Sequence, residues 1–234
     1  MVELCSLPTA KANPSDKIVK NLCAFACQDE KETPIFAQNA KLREGSFTLQ
    51  MEEAEQKATA LAAQHSRKAI KEDKEVSPSS IIQRGAAQCI LELAKKFGKD
   101  LFTKVPKLYE CLSSFKNYEN DVNITSEKGQ EIIDSFTVLR MTVESVDASL
   151  YSELLALSAK ISQAIKSNYA AIRFAAGKSL ASMCKICTSD AMLRVIDEVV
   201  PLIADSSNIC HRQGSVETIQ RRFLLNEWSF IHIG

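Results

Sequence analysis

The chain has 234 residues, of which 45% are hydrophobic and 25% are charged. This composition excludes intrinsic disorder over most of the length, because the chain has enough apolar surface to bury a core. The 29 basic and 29 acidic residues cancel, so no net charge attracts the whole chain to nucleic acid or to an anionic membrane.

Helices are the predicted secondary structure, since only 7 glycines and 6 prolines leave few turn residues for a many-stranded sheet. The first helix begins at the start signature Asn13-Pro14-Ser15-Asp16 and has Ile18, Leu22 and Phe25 at helical spacing. Residues 34–78 then interrupt the apolar pattern with alanine and charged side chains. They are predicted to be an insertion that either forms an exposed helix or stays partly disordered.

Six apolar stripes at helical spacing follow the insertion and predict helices joined by short turns. The stripes are Ile82, Ala86, Ile90, Leu93 and Phe97; Leu101, Val105, Leu108, Leu112 and Phe115; Ile132, Phe136, Leu139 and Val143; Leu150, Leu154, Leu157, Ile161 and Ile165; Ile172, Ala176, Leu180, Met183, Cys184 and Cys187; and Met192, Val195, Val199 and Leu202. A last helix is predicted to start at about Cys210.

An internal sequence repeat distinguishes a solenoid of helix pairs from a compact helical bundle. The second helix of three predicted pairs has a polar or basic residue two places before a small one. These triplets are Gln83-Arg84-Gly85, Arg173-Phe174-Ala175 and Arg212-Gln213-Gly214. The small residues are 90 and 39 residues apart, and HEAT and armadillo units repeat every 40 to 47 residues or so, which makes the first interval two units.

The first helices of two pairs also agree, because Pro106 and Pro201 each lie among residues of an apolar stripe. In such units the small residue lets two helices approach closely, and the basic residue reaches turn carbonyls or an Asp of the neighbouring repeat. The pattern predicts an all-α, HEAT/armadillo-like solenoid of antiparallel helix pairs. A non-repetitive helical bundle is the alternative.

Several stretches resemble the TATA-binding-protein-associated factor family more closely than a generic repeat does. They are Asn13 to Cys23, Gln83-Arg84-Gly85-Ala86, Lys95-Lys96-Phe97-Gly98, Val105-Pro106-Lys107-Leu108, the helix Ile172 to Ile186 and Val199-Val200-Pro201. In that family an N-terminal HEAT array binds the TATA-binding protein, and a C-terminal Swi/Snf-like ATPase removes it from promoter DNA. The resemblance covers Glu3 to about Ile219.

The resemblance implies a HEAT-repeat segment at 1–219 from the later part of the array, upstream of the ATPase. Its implied partner is the TATA-binding protein, with promoter DNA contacted only indirectly, and its implied location is the nucleus. Residues 220–234, which include Trp228, depart from the family and are predicted to be a divergent tail that does not continue the last helix.

No catalytic or cofactor-binding residue is predicted, and no small-molecule substrate. Gly177-Lys178-Ser179 matches the end of a phosphate loop, but Ile172 stands where the first glycine of that loop must be. The histidines, His65, His211 and His232, are too few and too scattered to support a catalytic arrangement.

Cys184 and Cys187 have zinc-like spacing, and Cys23 and Cys27 are a possible second pair. Because both pairs lie on apolar stripes, buried thiols are favoured over a metal site. The cysteine pattern also lacks a disulfide framework, which predicts a reducing, intracellular compartment, and neither a membrane span nor a signal peptide is expected.

Five lysines form a basic run around one helical hairpin: Lys95, Lys96, Lys99, Lys104 and Lys107. A solvated rim is favoured over a nucleic-acid site, because no aromatic residues interleave with them.

The sequence supports three hypotheses, of which an interaction scaffold of the TATA-binding-protein-associated kind ranks first. The second is a HEAT-repeat scaffold of another class, for nuclear transport or translation regulation. The third, an enzyme or nucleotide-binding domain, ranks last. The residues that contact a partner are not predicted, because solenoids bind through edges and concave faces that a sequence does not reveal.

Overall fold

Helices and turns make up the part of the chain that the computed structural model describes, and no strand occurs in that part. The described residues are 14–29, 33–36, 77–120, 124–186 and 188–224. The predicted insertion therefore lies outside them from residue 37 to residue 76. Among the helices placed here, none is both long and apolar enough to cross a bilayer.

Ten α-helices are described in chain order, with short 3-10 turns at Gly98–Asp100, Ser114–Asn117, Ala148–Leu150 and Val200–Ala204 and a π-helical turn at Val195–Val199. The α-helices are α1 Pro14–Ala26, α2 Pro78–Phe97, α3 Leu101–Lys104, α4 Pro106–Ser113, α5 Ser126–Val143, α6 Tyr151–Leu155, α7 Ser158–Ile165, α8 Ala170–Ile186, α9 Thr188–Arg194 and α10 Ile209–Leu224.

The helices pack as four pairs, here called repeats 1 to 4. Repeat 1 pairs α1 with α2, repeat 2 pairs α3 and α4 with α5, repeat 3 pairs α6 and α7 with α8, and repeat 4 pairs α9 and its following turns with α10. The second helices α2, α5, α8 and α10 form one layer in which each contacts the next. The predicted all-α helical-repeat solenoid is thus confirmed.

The best-predicted stripe is that of repeat 2. Its five residues, Leu101, Val105, Leu108, Leu112 and Phe115, are all 2% exposed or less. The predicted single helix is divided, because Pro106 begins α4 and Val105 leaves helical geometry with φ −128°. The Phe115 ring stacks on Phe136 of α5 at 4.4 Å between centroids, which joins the two helices of the pair.

Two predicted stripes are wrong in part. In α1 the buried side chains include Val19, Cys23 and Ala26, whereas the predicted Phe25 is 46% exposed. In α2 the predicted Ile82 is 42% exposed, and the neighbouring Gln83 is buried. The buried face of α1 contains small side chains as well as large ones, because α1 must pack closely against α2, α4 and α5.

Two boundaries also differ from the prediction. The first residues assigned to the insertion include a core residue: Phe36 is buried, and its ring lies 5.0 Å from that of Tyr169. Just before the insertion, Thr33 Oγ1 lies 3.0 Å from Thr137 Oγ1. At the other end α10 extends to Leu224, so residues 220–224 continue the helix beyond the boundary predicted at 219. Residues 225–234 lie outside the described part of the chain.

Local signals explain where helices begin and end. The Ser77 hydroxyl accepts from the Ser80 N–H at 3.2 Å and caps α2, and Thr125 caps α5 in the same way through Lys128. Gly98 ends α2 with φ +49°, a conformation that favours glycine, and its N–H donates to the Ala94 carbonyl.

Repeat 4 exposes large apolar side chains to solvent. They are Leu193, Ile196, Val200, Ile203, Ile209 and Val216. The first four recur at helical spacing on one side of the first element of the repeat, while Val195 and Val199 on the other side are buried. One side of this element therefore packs on the solenoid and the other does not.

The two glycines of the predicted triplets provide a matched pair of stability tests. A Cβ at Gly214 would lie 2.0 Å from the Ile165 carbonyl oxygen, whereas one at Gly85 would meet nothing within 4 Å. We expect Gly214→Ala to lower the free energy of unfolding by about 1–3 kcal/mol through overpacking. We expect Gly85→Ala to raise it by about 0.5–1 kcal/mol, because alanine loses less entropy in a helix.

Denaturant unfolding followed by circular dichroism measures both variants. Equal effects of the two substitutions would contradict the close approach of α10 to the end of α7.

Candidate binding groove

A groove opens between α1, α4 and α5, where repeats 1 and 2 meet. Its volume is about 920 Å³, and Ile35 lies at one edge. Its charged and sulfur-bearing side chains are Lys20 and Cys23 of α1, Lys107, Glu110 and Cys111 of α4, and Glu127, Glu131 and Asp134 of α5. A hydrophobic or mixed groove of this kind accepts a helix or an extended segment of a partner.

Helical spacing places the acidic residues of α5 along one wall. Glu127, Glu131 and Asp134 are four and three residues apart, so their side chains project from the same face. On the α4 side, Lys107 Nζ donates to Glu110 Oε2 at 2.5 Å. The lining carries four carboxylates against two ammonium groups, and this excess of negative charge favours a basic partner.

Gln130 of α5 fixes the edge of the groove. Its amide nitrogen donates to Asp134 Oδ1 at 2.8 Å, and its amide oxygen accepts from the Phe36 N–H at 2.8 Å. Burial raises the pKa of Asp134, while the hydrogen bond from Gln130 opposes this rise by stabilising the carboxylate. The segment that contains Phe36 is thereby held against α5.

Three cysteines lie where α1 faces α4 and α5. The thiols of Cys23 and Cys111 hydrogen-bond to each other between α1 and α4. This hydrogen bond lowers the pKa of Cys111 against the opposing effect of burial, and together with burial it raises the pKa of Cys23. Cys27 donates its Sγ–H to the Asp134 carbonyl oxygen at 3.5 Å, and burial raises its pKa.

A second region, between repeats 3 and 4, contains three of the seven predicted repeat positions: Arg173, Ala175 and Gly214. Arg173 is fully buried. Its Nη1 donates to the Ser167 carbonyl at 2.9 Å and its Nη2 to Gln213 Oε1 of α10 at 3.1 Å. Ala175 is buried on the same helix, and Gly214 of α10 is buried with its Cα facing the Ile165 carbonyl. Arg173 therefore links a turn of repeat 3 to the second helix of repeat 4.

The other predicted repeat positions lie at the surface. Arg212 and Gly85 are exposed, so close approach at the small residue occurs at Gly214 and not at Gly85. Pro106 and Pro201 are also exposed, each near the start of its helical segment. The triplets thus share a sequence pattern but not one structural environment.

The apparent phosphate-loop triplet serves helix packing. It lies inside α8, where a Cβ at Gly177 would lie 2.9 Å from Thr218 Oγ1 of α10. Ser179 Oγ donates to the Phe136 carbonyl of α5 at 2.9 Å, and Lys178 Nζ lies 4.9 Å from the centroid of the Phe174 ring. These small and polar groups join α8 to its neighbours on both sides.

The predicted zinc-like pairs lie in different repeats. Cys23 and Cys27 belong to repeat 1 and Cys184 is buried in repeat 3, while Cys187 lies outside the described residues. Where side chains are placed, no group of three or more His, Cys, Asp or Glu residues is arranged to hold a metal ion.

The only described histidine is His211, whose Nδ1 lies 2.8 Å from Asp205 Oδ2 in the turn before α10. Hydrogen bonds from Ser207 and His211 lower the pKa of Asp205 to about 2. His65 and His232 fall outside the described residues. This pair supports the turn between the two helices of repeat 4.

The basic run is partly neutralised by neighbouring acids. Lys95 Nζ lies 3.2 Å from Glu92 Oε1, and Lys107 pairs with Glu110 at the groove. The other three lysines of the run, Lys96, Lys99 and Lys104, are exposed.

Comparison with known proteins reveals the family. A family model described as a domain of unknown function (DUF3535) matches residues 1–111. TATA-binding protein-associated factor mot1 of Aspergillus fumigatus is 33% identical over 219 residues, which is 90% of this chain and 11% of the relative. The chain belongs to the TATA-binding-protein-associated factor family.

Other members of the family match over a similar length. MOT1 of Saccharomyces cerevisiae is 32% identical over 217 residues, 91% of this chain and 11% of the relative. BTAF1 of Arabidopsis thaliana is 30% identical over 217 residues, 88% of this chain and 10% of the relative. The chain thus spans about a tenth of the length of the relatives it matches.

The buried arginine and its exposed counterpart provide a second test of the repeat junction. We expect Arg173→Ala to lower the free energy of unfolding by about 3 kcal/mol or more, because it removes two charge-assisted hydrogen bonds and leaves a cavity. Arg212→Ala, on the exposed side of α10, should change it by less than about 0.5 kcal/mol. Urea unfolding measures both, and similar small effects would show that Arg173 does not stabilise the junction.

Proposed function

We propose that this chain is a non-catalytic HEAT-repeat scaffold segment of a TATA-binding-protein-associated transcription regulator. The segment contributes to binding of the TATA-binding protein and couples it to an ATP-dependent Swi/Snf-like motor. The names of the relatives and the confirmed helical-repeat fold support this proposal. The proposed location is the nucleus, with promoter DNA reached only through the partner.

The observation that carries the scaffold role is the continuous layer of second helices. The helices α2, α5, α8 and α10 contact one another in series, so a load applied at one end passes through packed backbone. At the joint between α8 and α10, Arg173 and Gly214 leave little room for sliding. Such a rod transmits position between a bound partner and a motor through its shape, without chemistry of its own.

No catalytic step is assigned to the chain. The phosphate-loop triplet at Gly177 is packed between helices, where its backbone amides take part in helical hydrogen bonds and are unavailable to phosphate. The role of the segment is therefore binding and support.

We place the partner contact in the groove between repeats 1 and 2. Its acidic wall on α5 is exposed at Glu127 and Glu131, and its lining also includes the apolar Val138 and the thiol of Cys23. This combination suits a partner segment that presents Lys or Arg beside apolar anchors. Rim charges act chiefly on the association rate and its salt dependence.

Charge reversal in the groove tests this proposal. The double variant Glu127→Lys/Glu131→Lys should weaken binding of TATA-binding protein by at least about tenfold, because it turns the acidic wall basic. The matched control Glu153→Lys/Asp197→Lys makes the same change in net charge at exposed positions of repeats 3 and 4 and should leave the affinity unchanged.

Titration calorimetry at two salt concentrations, with circular dichroism to verify folding, provides the measurement. Folded protein that does not bind TATA-binding protein would argue against the assigned partner and favour a scaffold of another class, such as nuclear transport or translation regulation. Equal weakening by both double variants would place the contact outside the groove.

A further inference from the structure

The thiols of Cys23 and Cys111 lie together at the junction between repeats 1 and 2. Cys23 lies on α1 of repeat 1 and Cys111 on α4 of repeat 2; these two helices pack together, and both side chains line the groove. A hydrogen bond between the thiols shifts the pKa of each. Cys23 is 5% exposed, whereas Cys111 is partly exposed. Cys111 is therefore the thiol of the pair that a small reagent in the groove reaches more easily, and Cys23 is the more buried one.

Two lysines of the otherwise acidic groove lie beside this pair. Lys20 precedes Cys23 by three residues and Lys107 precedes Cys111 by four, so each ammonium group lies one helical turn from a thiol. Both lysines stabilise the Cys111 thiolate, and Glu110 opposes them. Glu127, Glu131 and Asp134 also line the groove, and Asp134 disfavours the thiolate of Cys27.

We propose that Cys111 is a site of reversible oxidation by hydroperoxides, with Cys23 as the resolving thiol. The reaction closes a disulfide between repeats 1 and 2 at the floor of the groove. This inference goes beyond the proposed scaffold function and does not depend on the identity of its partner.

The reaction proceeds in two balanced steps. The Cys111 thiolate attacks one oxygen of the hydroperoxide, the O–O bond breaks, and the departing alkoxide takes up a proton to leave as an alcohol, or as water when the reagent is hydrogen peroxide. Cys111 is then a sulfenic acid. The Cys23 sulfur attacks the Cys111 sulfur, the S–OH bond breaks, and hydroxide leaves with the Cys23 proton as water. Two thiols are oxidised and one peroxide is reduced.

The other described cysteines differ in ways that make them useful comparisons. Cys27 lies one turn from Cys23, but its thiol donates to the Asp134 carbonyl and burial disfavours its thiolate. Cys89 is exposed on α2, outside the groove lining. Accessibility alone therefore predicts that Cys89 reacts first, whereas the groove geometry predicts that Cys111 does.

The reduced full chain is exposed to hydrogen peroxide at neutral pH and analysed by non-reducing peptide mass spectrometry. We expect a bridge between Cys23 and Cys111 as the main product and its loss after treatment with dithiothreitol. The bridge should persist in Cys27→Ser and in Cys89→Ser. In Cys23→Ser, a sulfenic acid should accumulate at Cys111 and be trapped by dimedone, whereas Cys111→Ser should give neither product.

A rate measured on the unsubstituted protein keeps the test independent of variant folding. At neutral pH, iodoacetamide should alkylate Cys111 at least fivefold faster than Cys89, although Cys89 is the more exposed of the two. Faster reaction at Cys89, or peroxide products spread evenly over the cysteines without the Cys23–Cys111 bridge, would overturn the proposal.

Discussion

Close contact between successive second helices is the constraint on which this fold depends. Each of α5 and α8 is enclosed by its own pair partner and by second helices on both sides, which leaves most of the α8 side chains buried. At its closest contacts such a helix needs small residues, and its buried polar groups need hydrogen-bond partners, as with a hydroxyl bonded to a carbonyl or a guanidinium bonded through its terminal nitrogens. Gly177, Ser179 and Arg173 of α8 meet these conditions in three different ways.

Much of the fold could be predicted because a helix with one apolar arc has only one face to bury. This holds for the first element of repeat 2, whose stripe includes Leu108 and Leu112. In α1 two arcs overlap, and the sequence alone does not show whether Phe25 or Cys23 faces the core. Three neighbouring helices decide that question, and their positions depend on long-range packing.

The groove could not be predicted from the sequence. Its walls come from three stretches, near residues 20, 110 and 130, that are far apart in the chain and meet only through tertiary packing. The triplet pattern did identify Arg173 and Gly214, since a buried helix junction requires both a small residue and a bonded polar one. The same pattern at Gly85 marks an exposed site. The triplet shows where a residue lies in its helix, but it does not show whether another helix packs against that residue.

The segment Thr33–Phe36 has a consequence for cooperativity. It lies between the two helices of repeat 1, yet Phe36 hydrogen-bonds to Gln130 of repeat 2 and its ring lies against Tyr169, between α7 and α8 of repeat 3. An ideal solenoid couples each repeat only to its neighbours and can unravel one unit at a time. A contact between repeat 1 and repeat 3 joins repeats 1 to 3 into one unfolding unit, so fraying that begins in repeat 4 should stop where repeat 3 begins to unfold.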